Sequence, residues 1–519
     1  MLDADAPPGR SIPKRKTGDK TVTDVDVLIV GAGISGIGAA YYLQNRCPGM
    51  SYTILEARGA LGGTWDLFRY PGIRSDSDLH TFGYAFKPWE NEKSIAGADA
   101  ILAYLAETAS ENRIDRKIRY HHKVLSAAWT SEDACWQVEV ERSDTGEKLS
   151  LRSKWIFSAA GYYRYDEGYR PRFPGEERFR GQIVHPQHWP EELDYSGKRV
   201  VVIGSGATAV TLVPAMAGKA AHVAMLQRTP TYILSIPSHD AIANLLRRVF
   251  GKRLAYALTR RKNIFLQRMI WQFCQRHPQR ARNLIRSLNA RQLPKGYPVD
   301  VHFNPPYNPW DQRLCMVPDG DLFKAIRAGA ASVSTGRIKT FTETGVLLES
   351  GEHLDADLIV TATGLNLQPF GGVPLTVDGR TVKLADTVAF KGMMLSGVPN
   401  LAFAIGYTNS SWTLKIGLLC EHFCRLLAHM EEKGFDICCP EVRDAAMVRR
   451  PLLDFGAGYV KRSLDELPRQ GADFPWLMSM SYAADAKLLR KGPVADPNLR
   501  FSSVRAKAAG VTPARKAVA

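Results

Sequence analysis

The stretch Asp24-Val-Asp-Val-Leu-Ile-Val30 runs directly into Gly31-Ala-Gly33-Ile-Ser-Gly36 and on into Ile37-Gly-Ala-Ala-Tyr-Tyr-Leu43. The first piece reads as a short apolar strand and the last as a helix, by the spacing of their apolar residues. Each glycine between them has its own task. Gly31 makes a tight turn, Gly33 lets the backbone approach a pyrophosphate, and Gly36 allows close helix–strand packing. The helix N-terminus then faces the phosphates. A second strand, Tyr52 to Leu55, ends at Glu56, twenty residues past Gly36 and placed to accept hydrogen bonds from a ribose diol. Strand, helix and terminal acid in register predict a dinucleotide site on a parallel sheet.

A second such loop follows about 170 residues later. Lys198-Arg-Val-Val-Val-Ile203 reads as a strand, then Gly204-Ser-Gly206-Ala207-Thr208-Ala209 opens an apolar helix. Alanine at the third glycine position is an accepted variant. The next strand, Ala221 to Leu226, leads into Gln227-Arg228-Thr229-Pro230, where an arginine replaces the expected acid. A carboxylate there would repel a 2′-phosphate, whereas a guanidinium pairs with it through charge-assisted bonds. This loop is therefore predicted to prefer NADPH, with Gly204, Gly206, Ala207, Thr208, Ala209, Arg228 and Thr229 as its contacts. In two-dinucleotide chains the N-terminal loop most often holds FAD, which gives Gly31, Gly33, Gly36 and Glu56 to that cofactor. Gly62-Gly63-Thr64-Trp65 follows closely and can bring backbone against a flavin; it can equally be a turn beside a buried tryptophan. A later strand, Ala356 to Thr361, ends in Ala362-Thr363-Gly364, a turn suited to returning the chain from the second nucleotide domain to the first.

The predicted fold is thus α/β: two Rossmann-like dinucleotide-binding domains, the FAD domain split by an inserted NADPH domain, plus a helical insert. The FAD-binding domain takes residues 24–165 and 365–500, the NADPH-binding domain 170–239 and 312–364, and the insert 240–311. Residues 1–23 and 501–519 are expected to be flexible tails. At 519 residues with 45% hydrophobic content, the chain is long enough for several cores. It lacks an 18-residue apolar run and an apolar leader, so a cytoplasmic enzyme is expected. Eight cysteines without a CxxC pair argue against a zinc site or a disulfide framework.

The net charge of +16 is unevenly placed. Between Asp240 and Asp300 there are fourteen Lys or Arg and no acid. No nucleic-acid-binding module accompanies them, so nucleic acid is not expected as a partner. Leu245, Leu246, Val249, Phe250, Leu254 and Leu258 recur at helical spacing, which predicts an amphipathic helix. Its basic face is either simply solvated, as charge runs usually are, or it attracts anions such as NADPH or acidic lipid headgroups in a peripheral membrane contact.

Between the loops lies Phe179-x-Gly181-xxx-His185-xxx-Trp189-Pro190, and near the first loop Gly62-Gly63-x-Trp65-xxxx-Tyr70-Pro71-Gly72-xxx-Asp76. With these motifs, and in this order, the chain resembles class B flavoprotein monooxygenases of the Baeyer–Villiger type over about residues 24 to 430. Trp189 distinguishes that type from the N- and S-oxidising flavin monooxygenases. Tyr70 to Asp78, Tyr307 to Cys315 and Gly406 to Trp412 resemble the ethionamide-activating subgroup. The resemblance implies that FAD, reduced by NADPH, binds dioxygen as a C4a-peroxide that converts a ketone to an ester or lactone, with side activity on sulfides. It implies an arginine beside the flavin, for which Arg313 is the candidate, with Asp76 orienting it. For Arg313 a structural ion pair to Asp311 is the plain alternative, and for Asp76 a helix cap. His185 is implied to matter through its linker position. A flavin-containing heteroatom oxygenase is the competing activity. A disulfide reductase would need a cysteine pair near the first loop, where only Cys47 lies. Dioxygen and a small ketone or sulfide are the expected partners of a monomer or homo-oligomer.

Overall fold

The computed structural model describes residues 23–504 apart from 313, 454, 455 and 457. Residues 1–22 and 505–519, most of the two expected tails, lie outside the described residues. The sequence predicts a C-terminal tail from 501, but the strand Leu499–Ser502 continues past that point and pairs antiparallel with Ile437–Pro440. The reason is apolar: Phe501 stacks on Phe435 with ring centroids 5.2 Å apart.

Two sheets organise the chain. In the first, β1 (Thr23–Val30) lies between β2 (Tyr52–Leu55) and β3 (Lys148–Ser158), parallel to both. The register pairs Val30 with Leu55 and with Ser158, so three carboxyl ends meet under the Gly31 turn. Leu401–Phe403 extends this parallel set on the far side of β3. His122–Thr130 and Cys135–Arg142 add an antiparallel meander. Helix α1 (Ile34–Arg46) packs against Trp412–Lys433, and their apolar faces form one core with Val27, Ile29 and Phe157. Val27 to Ile29 of β1 and all of β2 are buried, as expected for inner strands of a parallel sheet covered on both faces.

The second sheet is wholly parallel. It contains β4 (Gln182–Val184), β5 (Arg199–Ile203), β6 (His222–Gln227), β7 (Ala331–Thr335) and β8 (Leu358–Thr361), in the order β7-β6-β5-β8-β4. Helix α2 (Ala207–Met216) follows β5. The core under this sheet also takes Leu67, Phe68 and Tyr70 from the first half of the chain. The two crossings between the sheets run side by side: Tyr163–Gly168 pairs antiparallel with Leu365–Leu367.

The basic segment is helical, as its spacing predicts: α3 (Ala241–Val249), α4 (Lys252–Arg276) and α5 (Pro278–Gln292). Gly251 separates the first two, and Pro278 starts the third with its missing N–H at a position that needs none. Helix α4 docks by polar contacts. Arg260 donates to the carbonyls of His80, Thr81 and Gly83 at 2.8, 3.1 and 2.9 Å, and Tyr256 donates to the Tyr84 carbonyl at 2.9 Å.

Candidate active site

One elongated cavity of about 720 Å³ runs between the two sheets, within the roughly 300–1,000 Å³ range of small-molecule and cofactor sites. Gly31, Gly33, Glu56, Gly63, Thr64, Trp65 and Asp76 line it from the first half of the chain, and Ala207 and Thr208 from the start of α2. The two nucleotide loops thus open onto the same space.

The first loop is built as its sequence predicts. Gly31 sits at φ +103°, and a Cβ there would lie 2.7 Å from the Ala159 carbonyl. A Cβ on Gly36 would lie 1.9 Å from the Gly31 carbonyl, so only glycine lets α1 close against the turn. No side chain caps the α1 N-terminus, and its amides face the cavity. Glu56 is buried; one carboxylate oxygen accepts from the Ala32 N–H at 2.8 Å and the other from the Arg58 N–H at 3.0 Å. Burial pushes its carboxyl up, and those two N–H groups pull it back. Each oxygen keeps a lone pair for a hydroxyl on the cavity side. A deep apolar-walled slot with an uncapped helix end and a fixed carboxylate fits an adenine dinucleotide.

Asp76 and Asp78, two residues apart, have different tasks. Asp78 caps the helix Leu79–Phe82 by accepting from the Thr81 N–H at 3.0 Å. It also accepts from the Asn263 and Gln267 side-chain amides of α4, each at 2.8 Å. The cap belongs to Asp78, and Asp76 is left to line the cavity beside Tyr70. Arg313, the candidate cation, lies outside the described residues; Met316, three residues on, lines the cavity.

At the second loop, Gly204 has φ +142°, and a Cβ there would strike the Ala362 carbonyl at 2.3 Å, locking the loop against the turn at 362–364. Gly206 faces open space and caps α2 with no side chain, while Ala209 is fully buried. Arg228 is exposed just past β6 and has no ion-pair partner among the described residues. The Thr229 carbonyl accepts from the Ser205 hydroxyl at 3.0 Å, which ties the loop to the residue after the arginine.

His185 does not reach the cavity. Its ring packs on Gly168, where a Cβ would come within 2.0 Å of Cε1, and lies against the backbone of Tyr169 and Gly364. Nδ1 accepts from the Gln187 N–H at 3.2 Å, and Nε2 is buried without a well-aligned partner among the described residues. Burial holds its imidazole below the usual histidine range. The residue sits at the paired crossings between the sheets. In the same motif Phe179 fills a core with Phe341, and Gly181 directly precedes β4, where a Cβ would strike the Asp357 carbonyl at 2.4 Å.

The cavity also takes residues that no motif singles out, among them Ser35, Tyr162 and Tyr165. Tyr70 and Thr208 both line the cavity, and the Tyr165 and Thr64 hydroxyls lie 3.3 Å apart. Trp412 donates to the Ser35 hydroxyl at 2.9 Å and stacks on Tyr162. Tyr407 donates at 2.7 Å to buried Asp485, which also holds Lys415 at 3.0 Å. Tyr407 and Trp412 stood inside a quoted stretch, but tyrosines at 162, 163 and 165 carry no spacing signal and meet only in three dimensions.

The profile of the flavin-binding monooxygenase-like family matches residues 89–375, and that of an NAD(P)-binding Rossmann-like domain matches residues 29–91. FAD-containing monooxygenase EthA of Mycobacterium tuberculosis is 54% identical over 479 residues, covering 92% of this chain and 98% of that protein. The chain belongs to the flavin-binding monooxygenase-like family. Within it, the putative FAD-containing monooxygenase MymA of the same organism is 50% identical over 484 residues, covering 92% of this chain and 97% of its own. An oxidised steroid monooxygenase bound to NADP shares the fold, with a TM-score of 0.72 at 22% identity, covering 93% of this chain and all of that one. The flavoprotein monooxygenase resemblance carried by residues 62–76 and 179–190, and the α/β Rossmann-like fold, are both borne out. Among the described residues no helix is long and apolar enough to cross a membrane.

Proposed function

We propose that this chain binds FAD and NADPH and inserts one oxygen atom from dioxygen beside a ketone carbonyl, giving an ester or lactone, with side activity on sulfides. One observation carries the reading: the Gly31–Gly33 turn, Tyr70, Asp76 and, from the start of α2 behind the second turn, Ala207 and Thr208 all line a single cavity. Bound flavin, reduced by NADPH, supplies the activation of dioxygen. The protein's part is to bind, orient and shield. Gly31, Gly33 and the α1 amides hold one pyrophosphate and Glu56 its ribose, while Gly206, Ala207 and Thr208 hold the second. Arg228 takes the 2′-phosphate. Trp65, Phe82, Tyr162 and Trp412 wall the middle of the cavity and keep water out. Asp76 is assigned to orient Arg313, whose guanidinium would offer positive charge where negative charge builds during oxygen transfer. The names of the relatives support FAD, and the NADP of the steroid monooxygenase supports the second nucleotide.

The test is direct. The purified protein should show a flavin absorbance spectrum and should consume NADPH with a panel of ketones, giving products one oxygen heavier. Arg313→Ala should lower ketone turnover by about 10²–10³-fold, the scale of losing one fixed charge-stabilising group. Sulfoxide formation without any ester would replace this reading by a heteroatom oxygenase; a colourless protein that takes up no FAD would end both.

A further inference from the structure

We propose that helices α3 and α4 form a docking surface for membranes rich in anionic headgroups. An amphipathic helix in a globular chain ordinarily turns its apolar stripe to the core. Here the stripe points outward. Of the fourteen large hydrophobic side chains exposed among the described residues, ten fall between Ile242 and Phe273. Ile242, Leu245 and Val249 are 53%, 59% and 65% exposed and share one face of α3; Phe265, Met269 and Phe273 do the same on α4 at 60%, 48% and 37%. Scattered exposed apolar residues are ordinary, but a contiguous patch marks an interaction site.

Charge selects the partner. Lys252, Lys262 and Arg286 are paired with Glu90, Asp240 and Asp300, and Arg260 is used on backbone carbonyls. Arg248, Arg253, Arg261, Arg268, Arg276 and Arg280 are exposed and have no ion-pair partner among the described residues. Helical spacing puts Arg261 and Arg268 along the edge of the α4 stripe. An apolar stripe rimmed by arginines suits acyl chains below and phosphates around it. A second copy of this chain would instead face the patch with the same unpaired guanidinium groups. The helices lie on the bilayer rather than cross it, because α4 carries seven Lys or Arg within its 25 residues.

The opposite face of α4 backs the cavity. Gln267 donates to Asp78 at 2.8 Å and accepts from Ser410 at 2.8 Å, and Ser410 lines the cavity. Docking therefore leaves about one helix diameter, ~10 Å, between the bilayer and the reaction space, so apolar substrates dissolved in lipid are close to hand.

Flotation of the full-length, flavin-loaded protein with phosphatidylcholine vesicles, with and without phosphatidylglycerol, tests the docking without reference to turnover. Recovery with the anionic vesicles is expected to exceed that with neutral ones at least tenfold and to fall as salt rises. Arg261→Gln with Arg268→Gln should weaken it by roughly fivefold per arginine, and Phe265→Ser with Met269→Ser should abolish it, both with thermal stability unchanged. Equal recovery on both vesicle types, or none on either, overturns the proposal. So does a homo-oligomer that the Phe265→Ser, Met269→Ser variant converts to monomers, because the face would then be closed by a second copy.

Discussion

On the proposed reading, Arg228 decides between two nicotinamide cofactors. It stands just past β6 with its guanidinium exposed and without an ion pair among the described residues, so its charge is available to a 2′-phosphate. Losing such a charge-assisted contact costs about 1.5–3 kcal/mol. Arg228→Ala should therefore raise the KM for NADPH about ten- to a hundredfold while leaving that for NADH within a factor of two; equal effects on both would remove the residue from the site. The Lys415–Asp485 pair is a second residue-scale commitment. Both side chains are buried, and Asp485 also receives the Tyr407 hydroxyl from the cavity wall. Asp485→Ala strands an ammonium in the core and should cost about 3–5 kcal/mol in urea unfolding. Lys415→Met combined with Asp485→Asn removes both charges yet keeps an acceptor for Tyr407, and should recover most of that loss.

At the scale of elements, the paired crossings Tyr163–Gly168 and Leu365–Leu367 join the two sheets, and His185 is wedged against them. Gly168 matters because the imidazole occupies the space where its Cβ would be. Gly168→Ala is expected to lower the thermal midpoint by several degrees and to slow turnover. His185→Ala in the same chain should restore the midpoint but not the turnover, which separates packing from coupling between the sheets. Stability that stays low in the double variant would show that the clash is not with His185.

For the molecule as a whole, buried neutral histidines set the acid limit. Burial holds His422 at about 3, with its Nδ1–H donated to the Leu489 carbonyl, and His80, His185 and His302 are also held below the usual range. Unfolded histidines take up protons near pH 6.5, whereas these stay neutral when folded. Their contribution is complete above about pH 6.5 and is lost as pH falls toward the folded values. By pH 5 His422 alone should remove about 2 kcal/mol, and His422→Gln should flatten that part of a urea-midpoint profile between pH 7 and 5. An unchanged slope would mean that the proton uptake arises elsewhere.

The residues around Gly31, Glu56 and Gly204 made the fold legible from sequence, because tight turns, strand ends and helix starts are local and each demands a particular residue. Local rules could also nominate Asp76 and Asp78 as caps, but not choose between them; the amides of Asn263 and Gln267, almost two hundred residues away, made that choice. The same limit explains the apolar stripe of α3 and α4. Periodicity shows that a helix has two faces, yet which face meets solvent depends on what the rest of the chain packs beside it. Here Arg260, Asn263 and Gln267 anchor the polar side inward, and the hydrophobic side is left to the outside.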